Sequence, residues 1–590
     1  MSVESVITEN LDIWTSAIKT KSASGRGSSN KLELYGIKKL RELILELAVR
    51  GKLVPQDLND EPASKLLEKI SIERAELVKT KAIKKQKQLP EVNEDELSFS
   101  IPSNWSWTRL GNITEIGPRN DIDDEQKVAF IPMPLISTSY DGKHGQETRI
   151  WSEVKKGYTH FADGDIAIAK ITPCFENSKA AYFSNLQGGV GCGTTELHVA
   201  RPIPDTLDPL FILLYLKAPM FLELGKTKMT GSAGQKRVPK DFFAGNPLPF
   251  PPLNEQKRIV AKVNELMKLC DQLESKTESS IEAHKTLVET LLATLTNAKD
   301  AEELNENWQR ISEHFDTLFT TEDSIDQLKQ TILQLAVMGK LVKQDPNDEP
   351  ASALLERIAQ EKEQLIKDKK IKKQKALAPL EDVAKPYDLP SDWSWCRLED
   401  VVDIQSGITK GRKLAGRELI TIPYLSVANV QRSYLELENV KEVDIPIDEQ
   451  DKYEVKKGDL LITEGGDWDK VGRTAIWNNE MPYVGHQNHV FKARRFLSSQ
   501  NVVWLEKYLN STVARDYFAG SSKQTTNLAS INKTQLRGCL IAIPPTAEQE
   551  RIVNRIESMF TLCDQLRLKV INAQLTQLSI ADSISSSLVN

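Results

Sequence analysis

The chain is written twice. The 31 residues from Leu40 to Ile70 (LRELILELAVRGKLVPQDLNDEPASKLLEKI) return 288 positions later, from Leu328 to Ile358, and 22 of the 31 are identical. The same offset aligns KAIKKQK from Lys81 with KKIKKQK from Lys369, and IPSNWSWTRL from Ile101 with LPSDWSWCRL from Leu389. A third pair, PPLNEQKRIVAKVNELMKLCDQL from Pro251 and PPTAEQERIVNRIESMFTLCDQL from Pro544, follows at an offset of 293, so the second intervening segment is five residues longer. Between these ends, residues 111–247 and 399–540 show little similarity to each other. The fold must therefore build one scaffold twice and seat a different insert in each copy. Such a chain suits the recognition of two different things at a fixed separation.

From Leu253 to Asp345, 93 residues contain no proline and only Gly339, and from Thr546 onward there is neither proline nor glycine, which predicts long helices. Ile259, Val263, Leu266, Cys270 and Leu273 step by 4, 3, 4 and 3, the spacing of a helix-packing seam, and Ile552, Ile556, Met559, Cys563 and Leu566 repeat it. The expectation is that the two seams bury each other and form a rigid spacer. The variable segments instead carry apolar runs of strand length (DIAIAKI from Asp165, DLLIT from Asp459, LIAIPP from Leu540) broken by Gly, Pro and Asn. Gly164-Asp165 and Gly458-Asp459 read as turns entering strands. The expected fold is mixed α/β: two α/β domains joined by long antiparallel coiled-coil helices, a tandem duplication with a pseudo-two-fold arrangement. Its segments are a helical constant region (1–100), a first variable α/β domain (101–250), a central helical region (251–385), a second variable α/β domain (386–543) and a terminal coiled-coil helix (544–590).

A net charge of −6 argues against coating DNA by bulk positive charge, so any DNA contact must use local basic surfaces. The six cysteines lie far apart without a CxxC pair, which predicts neither a disulfide framework nor a zinc site. No apolar run approaches the ~20 residues that span a bilayer, and MSVESVITENLDIW lacks the basic-then-apolar order of a secretory signal, so the expectation is a cytoplasmic protein away from membranes. Catalytic motifs are missing. Asn246-Pro-Leu-Pro-Phe250 is not the DPPY or NPPF of an adenine methyltransferase and reads as a strand-ending turn. There is no GxxxxGK[ST] phosphate loop. Glu454-Val-Lys456 lacks the acidic partner of a nuclease motif, and His486-Gln-Asn-His489 lacks further metal ligands at suitable spacing.

LAVRGKLV and LAVMGKLV with their NDEPAS tails, the WSW segments at Trp105 and Trp393, GDIAIAKITPC from Gly164, and EQKRIV and EQERIV from Glu255 and Glu548 together resemble the specificity subunit (HsdS) of type I restriction-modification enzymes. The long constant segment ahead of residue 101 is similar to the branch of that family with extended N-terminal regions. The resemblance implies that each variable segment reads one half of a bipartite site in double-stranded DNA. It implies that the constant helices set the spacer and dock two methyltransferase subunits (HsdM), joined by restriction-translocase subunits (HsdR). The chain would itself be non-catalytic, yet required by an adenine-N6 methyltransferase and endonuclease complex. It would bind no cofactor or metal, with S-adenosylmethionine, ATP and magnesium on the partner subunits.

For DNA contact the best regions are Lys226 to Lys240 (KTKMTGSAGQKRVPK), with five basic residues and no acid, and Lys523 to Arg537 (KQTTNLASINKTQLR), with three and no acid. Lys226, Lys228, Lys236, Lys240, Lys523 and Lys533 would address phosphates, whereas Gln235, Arg237, Gln524, Thr525 and Asn527 suit base edges or phosphates. ITKGRK adds Lys410, Arg412 and Lys413, and the stretch from Lys170 to Lys179 adds Lys170. The KKQK runs at Lys84 and Lys372 read as solvated helix faces. Two other readings stay open: a single-chain methyltransferase or nuclease with unrecognised motifs, and a coiled-coil adaptor that binds protein through both inserts.

Overall fold

The computed structural model describes residues 3–21, 31–232, 234–412, 414–466, 470–525 and 528–589. Its contacts divide the chain into two units. Among the described residues, the first comprises Lys31–Ser279 with the segments up to Lys21 and from Gln574 onward, and the second comprises Ser280–Ala573.

Each unit is built on a pair of repeat helices and the start of a long helix. In the first, Tyr35–Val49 and Ala63–Lys79 accompany Leu253–Thr296; in the second, Glu322–Val337 and Ala351–Lys367 accompany Thr546–Val589. Both long helices run 44 residues, and each is shared between the units. Each unit thus holds the beginning of one long helix and the end of the other. The remainder of the predicted 253–345 stretch is broken: Asp300 caps a separate helix, Ala301–Glu313, and Thr321 caps Glu322–Val337 through a reciprocal bond with Ser324.

The seams bury, but not on one another. Ile259, Val263, Leu266 and Cys270 are buried with Leu40, Leu43, Ile44 and Leu47 of the first repeat helix, and Leu273 packs at the edge of that core. Ile552, Ile556, Met559 and Cys563 are buried with Ile325, Leu328, Ile332 and Leu335, with Leu566 at the edge. Buried branched side chains of this kind contribute about 1.5–3 kcal/mol each. Ion pairs flank both contacts: Arg41 with Asp271 (2.7 Å) and Glu274, and Lys329 with Asp564 together with Arg567 and Asp326. The mutual seam expected from the sequence is thereby replaced. The repeat helix preceding each insert is an equally apolar partner, and it takes the stripe within its own unit.

The far ends of the long helices are received by the opposite cores. Val288, Leu292 and Leu295 lie in the second core, and Ala581 in the first. In each unit the lysine of the repeated GKLV string caps the arriving helix. Lys52 Nζ donates to the Val589 carbonyl (2.9 Å), and Lys340 Nζ donates to those of Thr296 and Ala298 (both 3.0 Å). A cation on the last carbonyls of a helix satisfies unpaired acceptors and complements its dipole.

Both inserts leave and return by neighbouring strands. Ser106–Arg109 pairs antiparallel with Pro247–Phe250, and Ser394–Arg397 with Leu540–Ile543. The WSW string and the proline-rich string are therefore the two edges of one doorway. Beyond it, the inserts share a four-stranded antiparallel sheet. Its order is Thr114–Ile116, Leu197–Pro202, Ile166–Ala169, Ala180–Tyr182 in the first, and Val402–Gln405, Val490–Arg495, Leu460–Thr463, Thr474–Ile476 in the second. They diverge in their second sheets, which are four-stranded in the first insert and three-stranded in the second (Lys441–Pro446, Leu419–Leu425, Gly485–His486).

The KKQK runs lie past the ends of helices, correcting their assignment to helix faces. Lys81 and Lys369 adopt φ of 60° and 59°, a left-handed conformation that ends Ala63–Lys79 and Ala351–Lys367. Gln86 then docks on the first insert, donating to the Ile116 carbonyl (2.9 Å) and accepting from its N–H (3.2 Å).

Candidate nucleic-acid interface

The two regions singled out for DNA contact occupy the same place in the two inserts. In each, a helix (Pro219–Lys228 or Thr512–Ser521) leads into a hairpin, which leads into a short helix (Lys240–Gly245 or Lys533–Gly538). In the first hairpin Thr230 pairs with Arg237, and Arg237 also pairs with Ile171. In the second, Lys523–Thr525 pairs with Leu528–Ser530, and Ser530 also pairs with Gly465. The junctions match bond for bond. Val238 N–H donates to the Lys170 carbonyl (2.8 Å) and Lys170 N–H to the Glu196 carbonyl (2.9 Å); Ile531 N–H donates to the Glu464 carbonyl (2.9 Å) and Glu464 N–H to the His489 carbonyl (2.9 Å).

A buried carboxylate paired with an arginine braces each sheet at the strand ends away from the hairpin junction. Asp165, 1% exposed, accepts two bonds from Arg201 (both 2.8 Å) and one from Ala162 N–H (2.7 Å). Asp459, 2% exposed, accepts two from Arg494 (2.8 and 2.6 Å) and one from Lys456 N–H (2.8 Å). Bidentate pairs of this kind fix orientation as well as charge. The Gly-Asp turns are thus the corner of each sheet, with Gly164 and Gly458 at φ of 89° and 87°.

In the first hairpin Gln235, Lys236 and, at its flanks, Lys228 and Lys240 are exposed. Arg237 is spoken for: its Nε and Nη2 grip both carboxylate oxygens of Glu196 (2.9 and 2.8 Å), which holds that carboxyl below its usual pKa. Lys226 pairs with Glu223 (2.6 Å). Lys170 lies at the junction, half-buried. His198, stacked on Phe243, meets the Val238 carbonyl at 2.9 Å, and burial pulls its pKa down to about 4.

In the second hairpin Lys523, Gln524 and Thr525 form the outgoing strand, while Asn527 lies outside the described residues. Lys533 is half-buried beside Asp403 and Arg537, and burial lowers its pKa. In the loop ahead of Leu419, Lys410 lies over the Tyr424 ring (4.7 Å). Arg412 pairs with Glu449 (2.8 Å), whose pKa Arg412 and Arg417 pull down to about 2; Lys413 lies outside the described residues. The structure therefore gathers Lys170 and the 226–240 residues at one end of the first insert, and separates Arg412 into an ion pair of its own.

The strings examined for chemistry have structural duties. Asn246 Nδ2 donates to the Tyr215 hydroxyl (2.6 Å), and the Glu454 carbonyl accepts from Lys492 Nζ (2.7 Å) and Arg494. His486 is buried against the Val490 carbonyl, and His489 Nδ1 meets Glu464 (2.5 Å). Among the described residues, no cluster of three His, Cys, Asp or Glu side chains could hold a metal, and no helix is long and apolar enough to cross a membrane. Glu196 and Glu464 escaped the sequence reading, and His489 was weighed there only as a metal ligand, because side-chain pairs between residues far apart in the chain (Glu196 with Arg237, Glu464 with His489) leave no local pattern.

Comparison with known proteins decides the family. The chain matches the type I restriction modification DNA specificity domain twice, over residues 102–283 and 390–577. Over the full length of both chains it is 52% identical to the EcoEI specificity subunit and 51% identical to the EcoAI specificity subunit, type I restriction enzyme components of Escherichia coli. This chain belongs to the type I specificity subunits. Its two matched domains coincide with the two inserts and the first parts of the long helices. A solved chain from work on assembly and conformational transition of the type I R-M system aligns at 18% identity with a TM-score of 0.49, over 83% of this chain and 99% of that one. As a specificity subunit, the chain recognises DNA for a type I restriction-modification system.

Proposed function

We propose that the two inserts read the two halves of one bipartite DNA site, each through the end that carries its hairpin, and that the shared helices fix the distance between half-sites. The supporting observation is the pair of matched junctions, where one backbone frame presents Gln235 and Lys236 in one insert and the Lys523–Thr525 strand in the other. A hairpin with exposed amides and lysines can reach base edges and phosphates in a groove. In this reading the chain is non-catalytic. Two methyltransferase subunits and restriction-translocase subunits assemble on the helices, and S-adenosylmethionine, ATP and magnesium act on those partners.

Co-expression with the methyltransferase subunits followed by mapping of methylated adenines tests this. The expected motif has two specified blocks around an unspecified spacer; one contiguous block contradicts the proposal. The spacer has its own test. Four residues inserted after Ser279, with four more after Ala573, lengthen both helices by ~6 Å and rotate the downstream faces by only ~40° past a full turn. The blocks should stay the same and the spacer grow by one or two base pairs, at ~3.4 Å each. A single-residue insertion rotates the far ends by ~100°, pulling Val288, Leu292 and Leu295 out of register with their core, and should abolish methylation.

A further inference from the structure

We infer that Glu196 is a specificity-positioning residue of the first recognition domain, holding Arg237 so that the hairpin presents Gln235 and Lys236 in one geometry. This rests on the reading of the inserts as half-site readers. Three separate stretches of chain converge at the junction: the end of the strand Ile166–Ala169, the turn before Leu197, and the hairpin. Backbone bonds join the first to each of the others; among the described residues, the turn is joined to the hairpin by side chains, through the bidentate Glu196–Arg237 pair. Arg237 also shares the ladder with both Thr230 and Ile171, and Lys236 carbonyl accepts from Thr172 N–H (3.0 Å). Fixing the guanidinium therefore fixes the residues on either side of it. The second domain makes the point by substitution. At the positions of Lys170, Glu196 and Arg237 it carries Glu464, His489 and Ser530, and its side-chain link runs between His489 and Glu464 (2.5 Å) instead of to the hairpin. The same frame is thus locked differently in the two domains, at the place where their readouts must differ.

Three consequences separate positioning from bulk charge or mere folding. The Arg237 charge is already neutralised, so Arg237→Ala should change the dependence of DNA affinity on salt less than Lys236→Ala, which removes one phosphate-directed cation. Glu196→Gln, nearly the same shape but without the charge, should relax base preference in the half-site read by the first domain and raise KM for DNA about tenfold, with kcat and thermal stability close to wild type. Glu196→Asp should recover part of the lost selectivity, and the exchange Glu196→Arg with Arg237→Glu should recover more than either change alone.

The experiment is methylation of a library randomised across both half-sites by the complete methyltransferase complex carrying wild-type chain, each Glu196 variant, or His489→Ala. The expected result is degeneracy confined to the first half-site for Glu196→Gln and to the second for His489→Ala, with an unchanged spacer. An unaltered motif and KM in Glu196→Gln overturns the inference, as does equal loss at both half-sites accompanied by a lowered Tm. If wild type itself shows no bipartite motif, the proposed function fails, which is a different result from either.

Discussion

The two units agree where they are built and differ where they face outward. Arg258 pairs with Asp60 and Arg551 with Asp348, each at 2.6 Å; Glu255 accepts from Gln56 (2.7 Å) and Glu548 from Gln344 (3.1 Å) and Trp393 (3.0 Å). These contacts tie the NDEPAS and KLVxQD strings to the EQ(K/E)RIV strings, so the repeated motifs are largely the two halves of one clasp. The sheet corners Asp165–Arg201 and Asp459–Arg494 extend the agreement into inserts whose sequences diverge. At the hairpin junction the agreement persists in the backbone and ends in the side chains. Duplication has preserved the frame and released the residues it displays.

If the frame is common, matched substitutions must cost the same in both units. The largest effect is expected at the sheet corners: Asp165→Ala or Asp459→Ala strands a partly buried arginine and should destabilise by about 3 kcal/mol, read by chemical denaturation of each variant. A cost in one unit only breaks the comparison. Next come Gly51 and Gly339, both at φ of 70°, where an added Cβ would lie 2.6 Å and 2.5 Å from the rings of Pro102 and Pro390. Alanine at either should cost about 2 kcal/mol by the same measurement. Lys52→Ala and Lys340→Ala remove the caps of the arriving helices and should each cost about 1 kcal/mol, appearing as faster amide exchange in the last turns of Thr546–Val589 and Leu253–Thr296 respectively.

The last comparison sharpens a difference, and its effect is confined to acid pH. His198 occupies the strand position that Phe491 fills in the second domain. Its pKa falls from the ordinary 6.5 to about 4 because burial disfavours the imidazolium. The unfolded chain therefore takes up a proton that the folded chain refuses, and the stability this histidine confers is present above pH 6.5 and lost as pH falls toward 4. His198→Phe should flatten the pH dependence of stability over that window; an equally steep profile would mean that other groups carry it.

Much of the architecture was legible because duplication reports itself. The repeated strings marked the scaffold, the absence of proline and glycine marked the helices, and charge bias marked both hairpins in sequences otherwise unlike each other. Seam partners were not legible, since the 4-3 spacing of Ile259 to Leu273 shows that a stripe is buried and not what buries it. The roles of Glu196 and Arg201 were equally hidden. Each is paired with a residue about 40 positions away on another segment, and no local pattern encodes that pairing.

The central claim is that two independent readers sit on one frame. Replacing residues 111–247 with the corresponding insert of a relative of different specificity, then mapping methylated adenines with the partner subunits present, tests it most directly. The account predicts that one half-site changes to that of the donor while the other half-site and the spacer stay as they were. A change in both half-sites would contradict it.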